Sequence, residues 1–340
     1  MRDANYAETL TSMDALSEVL RLVRLTGAVF LNAELTAPWA ITTMSAREIG
    51  AVLMPEAQHV IEYHLIVEGR CFIRVGNDAP IELVQGDLVM VPHGDRHVMS
   101  SEAAPTVTPY DGAQMRLPSL GEIATSRYGG GGAKSRIVCG FLAIDRRLCA
   151  ALVDSLPSVL RVSSAGSELS AWLQSYVRIR LVERAQEQPG GAGVLAKLSE
   201  LMFLEAIRRY VECLPPGQSG WLAGLKDPCV GKALSLIHSQ PARAWTVDGL
   251  AREIGISRAG LADRFSGLIG RSPIQYLTQW RMQLAARLLA DGTAKVSAVG
   301  RDVGYDSEAA FSRAFKKIAG VPPAQWRARQ RSDHKPERTP

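Results

Sequence analysis

Four side chains in the strand-rich first part of the chain, His64, His93, His97 and Cys139, are of types that bind metal. Three imidazoles and a thiolate suit zinc in tetrahedral geometry, and neighbouring strands can bring residues distant in sequence into one such set. The alternative is structural: His93 and His97 as hydrogen-bonded turn residues and Cys139 packed in a strand. Glu68 and Arg70, with the histidines, are polar groups able to orient a small effector at the mouth of a pocket. No other grouping of acid, base and nucleophile accompanies them. The five cysteines (Cys71, Cys139, Cys149, Cys213, Cys229) form an odd, scattered set without Cys-x-x-Cys, which excludes a disulfide framework and a zinc ribbon and predicts mostly reduced, buried thiols.

A second group of residues could do different chemistry. Split at Pro228, the C-terminal part holds 18 Lys+Arg against 9 Asp+Glu, a balance of +9, while the remainder carries −4. Such asymmetry points to a polyanion meeting one part of the chain. The same part contains an internal repeat. Leu250, Ala251, Ile254, Gly255 and Ile256, followed by Leu261, Phe265 and Leu268, recur as Val299, Gly300, Val303, Gly304 and Tyr305, followed by Phe311, Phe315 and Ile318. The offset is 49 residues before the turn and 50 after it. In each copy a small residue (Ala251 or Gly300) admits a second helix, a glycine four residues on (Gly255 or Gly304) ends the first helix with positive φ, and a serine (Ser257 or Ser307) caps the second. This is the grammar of a helix-turn-helix. With Leu261, Phe265, Phe311 and Phe315 facing inward, a duplex would meet Arg258, Ala259, Ala262 and Asp263 in the first unit, and Glu308, Ala309, Ser312 and Arg313 in the second.

The elements that must position these residues follow from periodicity. A short amphipathic helix is predicted over 13–23. From about 27 to 141, short Val/Ile/Leu/Thr runs broken by Gly, Pro, Asn and Asp predict many strands in a sandwich or barrel, with 100–135 as a long flexible insertion. Helical spacing predicts two amphipathic helices, 168–185 and 194–213, separated by the QPGGAG turn. LPPGQSG at 214–220 has the composition of a linker. Residues 228–330 are helical throughout, with a long helix from Pro273 as a rigid spacer. Two recognition helices joined in this way reach successive major-groove faces about 34 Å apart.

Residues 228–330 resemble the DNA-binding domain of the AraC family of transcription regulators, most specifically in GYDSEAAFSRAFKKIAGVPPAQWR at 304–327. The resemblance implies seven helices with two helix-turn-helix units. It places Arg313, Ser312, Glu308 and Ala309 where the second unit meets bases, and Ala259, Ala262 and Asp263 at the base-reading positions of the first. The two alanines suit apolar groups such as a thymine methyl, and the aspartate could accept from cytosine. Lys316, Lys317, Arg264 and Arg271 are expected on phosphates. Upstream, Gly86 to His97 fits the second cupin motif, Gly-x5-Pro-x-Gly-x2-His, and Tyr63 to Gly69 partly resembles the first, with His64 present and Glu62 in place of the other histidine.

The resulting expectation is an α+β chain. Residues 1–150 form a cupin-like β-barrel sensory domain with flanking helices, and 151–213 a helical pair that the family resemblance implies is a dimerisation surface. Residues 214–227 are a linker, 228–330 an all-α double helix-turn-helix domain, and 331–340 a disordered tail. The function expected is a sequence-specific, DNA-binding transcription regulator controlled by a small-molecule effector. Its partners would be double-stranded DNA, a second copy of the chain and, if it is an activator, RNA polymerase. No cofactor is required by this reading, although a divalent metal such as zinc would suit the cupin-like domain. The alternatives are a metal-dependent cupin enzyme, such as a dioxygenase or isomerase, with an accessory helical domain, and a constitutive architectural DNA binder. No run reaches the 18–20 apolar residues of a membrane span, and MRDANYAETL does not have the pattern of a signal peptide, so a cytoplasmic location without a membrane partner is expected.

Overall fold

The computed structural model of the chain describes residues 25–54, 57, 59–114, 123–144, 146–163, 191–215 and 217–333, with positions 16, 17, 19 and 175. The helices expected at 13–23 and 168–185 fall almost wholly outside the described residues, and the tail beyond 333 entirely so. The chain divides into two units, with a boundary between Leu214 and Pro215.

The first unit is built on two sheets. One has the order β11-β6-β3-β10-β1-β9, from β1 (Leu25–Thr36), β3 (His59–Glu68), β6 (Leu88–Val91), β9 (Ile123–Gly129), β10 (Lys134–Ile144) and β11 (Leu160–Val162). The other has the order β5-β4-β7-β2-β8, from β2 (Ala40–Thr42), β4 (Arg70–Val75), β5 (Ile81–Val84), β7 (His97–Ser100) and β8 (Tyr110–Asp111). Leu35, Ile66 and Ile137 of the first sheet pack with Ile73 and Leu83 of the second, and with Trp39 just before β2, in one apolar core. Among the described residues the two ladders remain separate, so the cupin-like domain is an open pair of sheets and not a closed barrel.

Three local expectations change. Within the stretch read as a flexible insertion, β9 pairs in parallel with β1, from Phe30↔Ile123 to Thr36↔Gly129. Its polar sequence, IATSRYG, carried no strand signal because β9 is an edge strand with limited burial. The run AVLM at 51–54, one of the short apolar runs from which strands are predicted over 27–141, instead ends helix α1 (Ala46–Leu53), which opens with a capping box between Ser45 and Glu48. Beyond the short helix α2 (Arg146–Val153), the chain returns to the sheet as β11, antiparallel to β6, where helical spacing had been expected to take over.

Helix α3 (Gly191–Cys213) covers the outer face of the first sheet, so β3 is buried on both faces. Tyr63 points to that side, where its hydroxyl bonds Ser199 Oγ at 2.9 Å. The ring lies over Gly140 of β10, where any Cβ would collide with it.

The second unit begins inside the expected linker. Helix α4 (Trp221–Lys226) buries Trp221, whose Nε1 donates to the Tyr276 hydroxyl at 2.7 Å. Seven helices follow: α5 (Pro228–Ser239), α6 (Val247–Ile254), α7 (Arg258–Ile269), α8 (Pro273–Asp291), α9 (Val296–Asp302), α10 (Glu308–Ala319) and α11 (Pro323–Asp333). The pairs α6–α7 and α9–α10 are the two helix-turn-helix units. Their turns share one closing bond: Ile256 N–H donates to Ala251 O at 3.0 Å and Tyr305 N–H to Gly300 O at 2.9 Å. Each is the six-to-one bond that ends a helix around a left-handed glycine, here Gly255 (φ 85°) and Gly304 (φ 86°). Ser257 and Ser307 accept from Gly260 N and Ala310 N at the next helix start.

The two glycines differ in their surroundings. A Cβ at Gly255 would meet open space, whereas at Gly304 it would lie 2.6 Å from Ala242 O. Gly255→Ala should therefore cost about 1 kcal/mol, the left-handed backbone penalty alone. Gly304→Ala should cost about 2–3 kcal/mol, because strain and backbone collision add. Urea unfolding of both full-length variants, followed by tryptophan fluorescence, checks the order.

Candidate nucleic-acid interface and candidate metal centre

In each helix-turn-helix unit the second helix buries a ridge, Leu261 and Phe265 in α7 and Phe311 and Phe315 in α10. The opposite face is open. Arg258, Ala259, Asp263 and Arg264 on α7 are exposed, as are Glu308, Ala309, Arg313, Lys316 and Lys317 on α10, while Ala262 and Ser312 are half-buried.

The cations differ in what they touch. On α7, Arg264 Nε donates to Asp227 Oδ2 at 2.6 Å, and Arg258 lies 3.8 Å from Asp248. Asp227 also caps α5, accepting from Cys229 N and Val230 N, so Arg264 is directed toward that cap. Arg271, just after α7, bonds Gln279. On α10, Arg313, Lys316 and Lys317 have no partner among the described residues. The second recognition helix thus presents three uncommitted positive charges and the first presents few.

The first unit holds a cluster of Glu62, His64 and His97, all buried. Side chains two apart on β3 share a face, so Glu62 and His64 both enter the space between the sheets, and His97 at the start of β7 meets them. His64 Nε2 and His97 Nε2 are 2.7 Å apart, and His97 Nε2 is 4.0 Å from Glu62 Oε2. Nδ1 of His97 lies 3.1 Å from Asp95 O and 3.0 Å from Thr43 Oγ1, contacts that orient the ring with Nε2 facing the cluster. Burial pushes the Glu62 carboxyl well above its usual range and His64 well below. His97 falls to about 4, because burial outweighs the Asp95 contacts. Burial thus opposes charge on all three groups, favouring the protonated carboxyl of Glu62 and the neutral imidazoles of His64 and His97.

These residues fit a divalent metal. Donors around a tetrahedral zinc lie about 3.4 Å apart, within the spread of the observed separations. Glu62 Oε1 and His64 Nδ1 are buried without a hydrogen-bond partner, and His97 is oriented through its other nitrogen by a backbone carbonyl, as metal-binding imidazoles commonly are. Three protein donors leave a position open. The adjoining cavity, about 70 Å³, is walled by Leu35, Trp39, Ile41, Met99, Ile137 and Phe141.

The structure does not bring the other candidates into this cluster. His93 is half-buried with Nε2 on Leu156 O at 2.9 Å. Cys139 lines the cavity, but it is not among the residues whose donor atoms converge in the cluster. Glu68 lines a separate polar cleft with Arg127, Lys134 and Arg136, and Arg70 is exposed beside Glu82. Of the cysteines, Cys71 is buried like Cys139, while Cys213 is exposed and Cys229 half-buried.

A cupin family model matches residues 14–212 and a helix-turn-helix domain model matches residues 250–329. An AraC-like transcription regulator of Streptomyces lividans is 32% identical over 319 residues, covering 93% of this chain and 98% of that protein. The chain belongs to the AraC-like transcription regulators. The HTH-type transcriptional regulator AlkR of Acinetobacter baylyi is 27% identical over 326 residues, covering 93% of this chain and 99% of that protein. The DNA-binding domain of AdpA, solved in complex with a target DNA, is 28% identical with a TM-score of 0.30, covering 32% of this chain and 97% of that one. The protein is accordingly a DNA-binding regulator of transcription and not an enzyme, and no helix among the described residues is long and apolar enough to cross a membrane.

The shifted groups make stability pH-dependent. His97 titrates near 6.5 when unfolded and about 4 when folded, so acidification from about pH 6.5 to 4 protonates only the unfolded chain and removes stability. Glu62 acts oppositely, since its raised folded pKa costs stability as pH rises above about 4.5. In chelator-treated protein, Glu62→Gln should therefore raise the melting temperature at pH 8 and leave it nearly unchanged at pH 4, and His97→Gln should flatten the acid limb by up to about 3 kcal/mol. Melting curves across pH 4–8 read both effects.

Proposed function

We propose that this AraC-like protein reads DNA through α7 and α10, and that a small molecule entering the cavity beside Glu62, His64 and His97 controls the reading. The carrying observation is the pair of matched helix-turn-helix units, each turning an open face outward from a buried Leu/Phe ridge. Arg313 reads a guanine through its planar fork, Glu308, Ala309 and Ser312 complete that face, and Lys316 and Lys317 hold phosphates. On the first unit, Ala259 and Ala262 meet thymine methyls, Asp263 accepts from cytosine, and Arg258, Arg264 and Arg271 lie toward the backbone.

The effector site is supported by buried, unpartnered Glu62 Oε1 and His64 Nδ1 beside an apolar cavity. Glu62, His64 and His97 would hold a divalent metal such as zinc, which would supply a Lewis-acid anchor for an electron-rich group of the effector. Glu62 and His64 flank Tyr63, whose hydroxyl meets Ser199 of α3, so a change at the cluster reaches the helix before the domain boundary. Exposed Val194 and Leu201, seven residues apart on α3, suit contact with a second copy of the chain. A homodimer in the cytoplasm, acting as an activator in contact with RNA polymerase, completes the reading.

Footprinting of the full chain on DNA flanking its own gene tests the core of this proposal. Arg313→Ala should relax preference at one base pair at a cost of about 1–3 kcal/mol, whereas Lys317→Ala should weaken all sequences alike and lower the salt slope by about one unit. Equal, sequence-independent losses from both would place α10 outside the groove.

A second measurement addresses the sensor. Wild-type protein dialysed against zinc should retain one equivalent, His97→Ala none, and zinc or a chelator should shift wild-type DNA affinity about 5- to 150-fold, the usual range of allosteric coupling. Tyr63→Phe should keep the metal and lose the shift. Zinc retention by His97→Ala equal to wild type would remove the metal from the proposal.

A further inference from the structure

Within the second unit, one side chain of α8 faces both helix-turn-helix units at once. Arg281 Nε donates to Pro241 O at 2.7 Å and Nη2 to Arg243 O at 2.9 Å, both in the turn that leads from α5 into the first unit. Its Nη1 donates to Gly304 O at 3.1 Å, in the turn of the second unit. The Tyr305 ring lies 5.6 Å from the guanidinium carbon. A planar guanidinium has a rigid fork of donors, so three carbonyls held at once fix its plane and, through it, the segments that carry them.

Those segments are tied onward. Arg243 packs its guanidinium 3.9 Å over Trp245 and bonds Glu253 of α6 at 2.7 Å, so the 241–245 turn is anchored to the first unit. Gly304 approaches the same turn so closely that a Cβ there would lie 2.8 Å from Arg281 Nη2 as well as against Ala242. The two units thus meet through Arg281 and the turn it grips, in addition to the spacer helix α8.

We propose that Arg281 is a positioning residue that sets the angle between α7 and α10, so that both enter the duplex as one rigid reader. The inference rests on α7 and α10 being the recognition helices. A rigid pair gains affinity because docking one helix presents the other at the correct place, and it loses that gain when the spacing on the DNA is wrong. One inserted base pair turns the second segment by about 34° and moves it by about 3.4 Å.

The test uses full-length wild-type, Arg281→Lys and Glu253→Gln proteins. The DNA is a duplex selected from a random pool by the wild type, the same duplex with one base pair inserted between its two protected segments, and duplexes holding each segment alone. Expected for wild type is a loss of about tenfold or more on insertion, as for a bivalent contact whose geometry is broken. Arg281→Lys, which keeps the charge but not the fork, should bind the parent duplex about tenfold more weakly, lose less than about threefold on insertion, and match wild type on single segments. Glu253→Gln, which loosens the turn from the surface, should move the same way by a smaller factor and serves if Arg281→Lys does not fold. Variants that lose affinity equally on single and double segments, with the insertion penalty intact, would reduce Arg281 to a fold-stabilising residue. A wild-type footprint confined to one segment would overturn the two-helix reading itself, and the inference with it.

Discussion

The close approach of two short helices is the constraint on which the DNA-reading unit depends. Phe311 of α10 lies where a Cβ on Gly300 would come within 3.1 Å of its ring, so α9 and α10 touch almost backbone to side chain. That contact lets Phe311, Phe315 and Trp326 run on as an aromatic series with centroids 5.7 and 5.9 Å apart, which fastens α11 to α10. A matching arrangement in the first unit rests on Ala251, and there Phe265 meets Tyr276 at 5.8 Å. Tyr276 in turn joins α4, α5 and α8, because its hydroxyl takes the Trp221 Nε1–H and contacts His238 Nε2 at 2.7 Å while the His238 ring stacks on Trp280 at 3.9 Å. The outward faces of α7 and α10 are held by these inward ones.

In the other unit the organising fact is a desolvation cost. Burying a carboxyl and two imidazoles between apolar sheets is unfavourable unless they stay neutral or find a counter-charge. Burial favours the neutral form of Glu62, His64 and His97 alike, displacing the proton affinities of the carboxyl and the imidazoles in opposite directions. An apolar isostere would pack this core at lower cost, so the trio is expensive as architecture and intelligible as a site.

Much of this was legible in the sequence because it rests on short-range rules. The 49-residue repeat, the two glycines and the two capping serines specify the turns locally, and each forms where its sequence requires. The inward placement of Leu261, Phe265, Phe311 and Phe315 follows from helical period alone. What periodicity could not supply was tertiary choice. The strand β9 is an edge strand whose partner β1 lies about ninety residues earlier, so its polar text carries no hydrophobic signature. Helix α4 sits in a Pro/Gly-rich stretch and is fixed by Trp221 reaching Tyr276, a contact 55 residues away. The AVLM run has strand-like composition, yet the Ser45–Glu48 capping box before it was a readable helix start. At the buried cluster, alternation along β3 would have joined Glu62 to His64, and His93 drops out because its ring is taken by Leu156 O.

The two recognition helices share a scaffold but not a charge. On α7 the cation best placed for phosphate, Arg264, is held by Asp227, and Asp227 is in turn held by the N-terminus of α5, whose dipole favours a carboxylate there. Pulling Arg264 onto DNA would leave that carboxylate with backbone donors only, so the exchange gains less than a free arginine would. On α10 no such competition exists for Arg313, Lys316 and Lys317. On the proposed reading, the salt-dependent share of affinity therefore lies with the second unit, where each neutralised phosphate releases counterions. On the same reading the first unit, with Ala259 and Ala262 at its centre, would contribute shape and apolar contact, and such contacts yield specificity only if the helix is delivered at a fixed angle. A weakly charged reader beside a strongly charged one works as a pair only when the join between them is stiff.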